Sequence, residues 1–240
     1  MTTPPPYDQQ GNTKVVAKEI KDTTRIVKAA VFNTRGDTFT LQELAALQTV
    51  KLTDEQKRTL ALAKKLNAII NQYGKKNDAL ATAMGIQAVA DANTHNGVLD
   101  KDRFKEDLAK YFIDQKWVFD ANKPEVTLSA VGARIHKVGE SPLAESLFGR
   151  ERVGAYGWKD ELQEKGNPEY NQAHHLAAYI IATIDYGDEI AMKEAYLMDK
   201  HHPYDIQVSL IATNIANLIK NNKVAISMIW KAIYDRLKED

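Results

Sequence analysis

Apolar residues recur three and four positions apart through most of this sequence, and no stretch of useful length alternates apolar with polar. This spacing constrains the fold more than any other feature. A face that repeats every turn of about 3.6 residues is buried by a helix, not by a strand. The clearest instance is LTDEQKRTLALAKKLNAIINQYG (52–74). Thr53 stands at the capping position with Gln56 three residues on. Leu60, Ala63, Leu66 and Ile70 share one face, and Gly74 closes the segment. Similar patterns begin near Lys14 (Val15, Val16, Ile20, Ile26, Val27), at TLQELAAL (40–47, Thr40 cap, Glu43 in the capping box), and over 78–90, 102–120, 166–187, 188–200 and 203–222. Residues 122–135 read as a break followed by a helix of small residues, with a strand as the rival reading. The expected fold class is all-α.

The chain of 240 residues is long enough for one large domain or two small ones. The expected layout is a disordered leader over 1–13, a helical module over 14–120, and a second helical domain over 121–240. Lys+Arg and Asp+Glu both total 32. That balance lacks the basic excess of a nucleic-acid binder. With no cysteine, disulfides, thiolate metal sites and cysteine nucleophiles are excluded. No apolar run approaches the roughly 20 residues that span a bilayer. The start, MTTPPPYDQQGNTK, has no apolar stretch after a charged region. Export, if it occurs, is expected to use a dedicated bacterial machine, and the cytoplasm is the alternative location.

Two loops have part of an EF-hand pattern, which needs oxygen ligands at fixed positions, glycine at the sixth and an acid at the twelfth. In DANTHNGVLDKDRF (91–104) the candidate calcium ligands are Asp91, Asn93, Asn96, Asp100 and Asp102. Anchoring on Gly97 places Arg103 twelfth. Anchoring on Asp91 places Asp102 twelfth but loses the glycine. In FNTRGDTFTLQEL (32–44) Glu43 falls twelfth while Asp37 takes the glycine position. Calcium is therefore a weak expectation, and a structural role for both loops is the alternative.

Residues 36–112, from TFTLQEL through the Asp91–Asp102 loop to the next helix, resemble the helical repeat of harpin and translocon-type proteins exported by type III secretion. The resemblance implies a secreted bacterial effector with a docking or delivery module, and it implies no catalysis.

A second resemblance lies in GESPLAESLFGRERVGAYGW (139–158). Glu140-Ser141, Ala144, Ser146, Gly154-Ala155, Gly157 and Trp158 are similar to the active-site motif of lytic transglycosylases and goose-type lysozymes. The resemblance implies Glu140 as general acid, with Glu145 or Glu151 assisting. A glutamate lodged against apolar residues keeps its proton near neutral pH, as glycosidic cleavage requires. Tyr156 and Trp158 are candidates for stacking on sugar. LFGRERV lengthens the spacing, and Trp158-Lys159 stands where that family has Met-Gln.

Four of the six histidines fall in two pairs, His174-His175 and His201-His202, near Asp199 and Asp205. Imidazole beside carboxylate suits an acid–base pair or zinc. It equally suits a hydrogen-bonded core network. His175 and Asp205 are the candidate catalytic members. Asn214, on an otherwise apolar helix, is a candidate for the floor of a substrate cleft.

Three functions follow as expectations. The first is a secreted effector that cleaves peptidoglycan glycan strands, accompanied by an immunity protein or a secretion chaperone. The second is a non-catalytic secreted docking protein. The third is a His/Asp metal-dependent hydrolase.

Overall fold

The computed structural model describes residues 54–74, 76–113, 148, 156–163, 172–198 and 202–239. These residues are mostly helical, with seven α-helices among them. The chain divides into two compact units, Met1–Lys64 and Lys65–Asp240. The boundary falls within the first described helix, α1 (Asp54–Tyr73). That helix buries Ala63, Leu66 and Ile70, the face its spacing predicts. It closes where Gly74 N donates to Ile70 O at 2.8 Å. The leader, the segments over 14–47, Thr53 and residues 122–135 lie outside the described residues.

The packing described from here on lies within the second unit. α2 (Asp78–Ala92) starts at Asn77, whose side chain accepts from Leu80 N at 2.9 Å. Its small side chains let neighbours close in on several sides. Ala79, Ala81, Ala83, Ile86, Val89 and Ala90 are all buried. Gly85 is required by close approach: a Cβ there would stand 2.5 Å from the Phe148 ring. Phe148 itself stacks on Phe112, with ring centroids 4.2 Å apart.

A short antiparallel hairpin follows, β1 (Thr94–His95) and β2 (Val98–Leu99), in the register Thr94↔Leu99 and His95↔Val98. The sequence pattern does not predict it, because two-residue strands are too short to alternate. Turn chemistry makes it instead. Asn96 and Gly97 both adopt positive φ, +52° and +76°, as a tight two-residue turn demands. α3 (Lys101–Phe112) then starts from Asp100, whose side chain accepts from Arg103 N at 3.1 Å.

α4 (Gln172–Tyr186) is buried from Gln172 to Thr183. Leu176, Tyr179 and Ile180 are inaccessible to solvent, and each such burial contributes roughly 1.5–3 kcal/mol. α5 (Asp188–Met198), α6 (Pro203–Lys220) and α7 (Ile229–Leu237) complete the order. Pro203 opens α6, where its missing N–H costs nothing. The most extensive contact is α4 on α6, followed by α2 on α7, with α4 also touching α3 and α5. Elements on both sides of residue 120 thus share one core. Among the described residues no helix is long and apolar enough to cross a membrane.

Candidate functional site

Three places in this fold hold the residues nominated from sequence. The first is the hairpin loop. Asp91 accepts from Gln87 Nε2 at 2.7 Å and pairs with Lys65 Nζ at 3.3 Å. Asn93 is fully buried, and its amide donates to Val89 O at 2.9 Å and to Asp107 Oδ2 at 2.8 Å. Asn96 stands exposed at the tip of the turn. Asp100 caps α3, and Asp102 pairs with Lys105 at 2.8 Å. The five candidate calcium ligands therefore serve two helix ends, a turn and two ion pairs. Among the described residues no group of three or more His, Asp or Glu gathers into a metal site.

Beside this hairpin lies an open groove of about 540 Å³. One wall is Gly97 to Asp102, and the other is Asn222 with Val224 to Ile226, from the connection between α6 and α7. Lys101 Nζ ties the two sides together by donating to Lys220 O at 2.8 Å. Gln87 fixes the far wall: its Nε2 donates to Ile226 O at 2.9 Å, and its Oε1 accepts from Trp230 N at 3.0 Å.

The second place is the strap at 156–163, the end of the Gly-rich stretch. Tyr156 O accepts from Asp78 N at 2.8 Å, and Tyr156 N donates back to Asp78 Oδ2 at 3.1 Å. The strap thus caps the N-terminus of α2, where a carboxylate is favoured. On its other side it pairs with the end of the chain. Trp158 bridges Lys238, Lys159 N donates to Leu237 O at 2.8 Å, and Glu239 N donates to Gly157 O at 3.3 Å. Tyr156 is 66% exposed, whereas Trp158 is 0% exposed. The two aromatics expected to bind sugar together are split between surface and core. Glu140, Glu145 and Glu151 lie outside the described residues.

The third place is a polar node inside the α4–α6 contact. His175 Nε2 stands 3.6 Å from Asp205 Oδ2, and both side chains are almost wholly buried. That separation is an ion-pair distance, longer than a hydrogen bond. The His175 ring also stacks on Tyr179, and His174 meets His175 edge-on. Gln172 donates to Leu162 O at 2.8 Å, and its side chain stands near enough to the Asp205 carboxyl to favour the charged form. Burial raises the pKa of Asp205 above the ordinary aspartate value, against the opposing effects of the Gln172 side chain and the His202 charge. Farther along the same contact, Thr183 Oγ1 and Thr213 Oγ1 meet at 3.2 Å, and Ala212 and Ala216 are buried. Asn214 is on the exposed face of α6, so it does not floor a cleft between these two helices. His201 and Asp199 lie outside the described residues.

Sequence reading passes over several polar residues that the fold uses. Lys105 pairs with Asp185 across α3 and α4, with both side chains 8% exposed. The partners are 80 positions apart, so no local spacing announces them. Gln172, Gln87 and Asp78 are missed for the same reason. A lone polar residue on an apolar helix face is the only signal each one leaves.

Comparison with known proteins finds no matching family model, no similar curated protein and no similar solved structure.

Proposed function

We propose that this chain is a secreted bacterial docking protein that acts by binding a partner rather than by catalysis. The observation that carries this reading is the burial of Trp158. The end of the Gly-rich stretch serves as a strap joining α2 to the end of the chain. His175 and Asp205 likewise serve the α4–α6 contact, with both side chains almost wholly buried. The groove at 97–102 and 222–226 is the concave surface offered to a partner, and Val98, 70% exposed, stands on its wall. The harpin-like pattern over 36–112 supplies the secretion element of the proposal.

A second reading is supported by one feature. Tyr156 is a largely exposed aromatic, as stacking on a sugar ring requires. In that reading Glu140 protonates a glycosidic oxygen, with Glu145 assisting.

One experiment separates the two. Purified protein and Glu140→Gln are incubated with peptidoglycan sacculi, and soluble fragments are analysed by mass spectrometry. The docking reading expects no disaccharide peptides from either protein. Release by the wild type but not by the variant establishes glycan cleavage and overturns it. Export is tested separately, by whether the tagged chain reaches the medium only from cells with an intact type III apparatus.

A further inference from the structure

Asn96-Gly97 is the one Asn-Gly step in the sequence, and it forms the tip of the hairpin. We propose that this turn is a site of spontaneous covalent modification, in which Asn96 converts to aspartate and isoaspartate through a cyclic imide. The Gly97 backbone nitrogen attacks Asn96 Cγ. A bond forms between these atoms, and the bond from Cγ to Nδ2 breaks. The Gly97 amide proton passes to solvent base, and Nδ2 leaves as ammonia. One water then adds across either carbonyl–nitrogen bond of the imide ring. Cleavage at Cγ gives aspartate with the backbone restored. Cleavage at the backbone carbonyl gives isoaspartate, whose chain runs through Cγ. No oxidant, reductant or enzyme is needed.

The geometry favours this site over the other described asparagines. Asn96 and Gly97 are both exposed. Gly97 has no side chain beside the attacking nitrogen, and a Cβ built there would meet nothing within 4 Å. Solvent base therefore reaches the amide, and the ring has room to close. Attack requires rotation about Asn96 ψ, which the projecting tip allows by opening the His95↔Val98 pair alone. At other described asparagines the corresponding nitrogen is already held. After Asn77, Asp78 N donates to Tyr156 O. After Asn221, Asn222 N donates to Ile219 O. After Asn222, Lys223 N donates to Leu218 O. The Asn93 side chain is buried and doubly bonded.

The product changes the groove. A carboxylate appears at the hairpin tip, beside Gly97 on the groove wall that Asp100 and Asp102 also line. Isoaspartate also adds one methylene to the main chain inside a two-residue turn, which the Thr94↔Leu99 register does not accommodate.

The test ages the purified full chain in mildly alkaline buffer, followed by peptide mapping with fragmentation that distinguishes isoaspartate. Exchange of one NH for one O is expected at Asn96 ahead of every other asparagine. Methylation by an isoaspartate-specific methyltransferase is expected to label the same peptide. Asn96→Gly, which keeps the positive φ without the side-chain amide, is expected to take no label there. A sample unfolded in urea runs in parallel and reports the unhindered rate. The proposal is overturned if Asn96 stays intact in the folded chain while the unfolded chain converts, or if another asparagine reacts first.

Discussion

Asp205 shows how one residue serves packing at a cost. It lies in the first turn of α6, where a carboxylate suits the helix N-terminus, yet it is almost wholly buried against α4. Burial raises its pKa, so the folded state holds its proton more tightly than the unfolded chain does. Below the unfolded pKa the group is neutral in both states and carries no penalty. As pH rises through the folded pKa, that favourable balance is lost, and above it the fold bears the cost of the buried charge. Asp205→Asn removes the ionisation and keeps the shape. It is expected to raise stability at neutral pH, with the gain shrinking as the solution is acidified. Melting curves across the acid range check this. A loss of stability at neutral pH would mean instead that the interaction with His175 outweighs burial.

At the scale of elements, helices were legible where a long face repeats, as in α2 and α6, whose bounds fall within a few residues of those the spacing predicts. The hairpin was not legible, because its strands are shorter than one period of any pattern. Asp100 carries two meanings in sequence, calcium ligand and helix cap, and only the position of Arg103 N decides between them. Trp158 was ambiguous for a similar reason. An aromatic beside turn glycines suits a sugar platform or a core anchor, and its bridge to Lys238 involves a residue far along the chain. Gly85 gave no signal as one small residue in a small-residue helix. Its role is to admit Phe148, so Gly85→Ala is expected to destabilise by about 1–3 kcal/mol through overpacking, although alanine is the better helix former. Urea denaturation measures the outcome, and a stabilised variant would show that the Phe148 ring moves aside without cost.

For the second unit as a whole, the decisive contacts are distant in sequence. Asn77 Nδ2 donates to the Tyr234 hydroxyl across 157 positions, and Gln87 reaches Ile226 across 139. The strap and the end of the chain add the Trp158↔Lys238 bridge and the bond from Glu239 N to Gly157 O. Deleting residues 238–240 is therefore expected to cost on the order of 1–2 kcal/mol. Amide exchange should rise at Lys159 and at Asp78, the strap's two attachment points. Unchanged protection at Asp78 would show that the cap on α2 holds without the clasp.

The pairing of α2 with α7 also sets a schedule for biosynthesis. A ribosome makes α2 well before α7, and α7 must clear the exit tunnel before it is free to dock. Until then the apolar face that α2 turns toward α7 has no native cover, and the long loop between them remains unclosed. Completion of this core thus waits on the emergence of α7. The nascent chain offers a chaperone an interval of access that the finished protein withdraws.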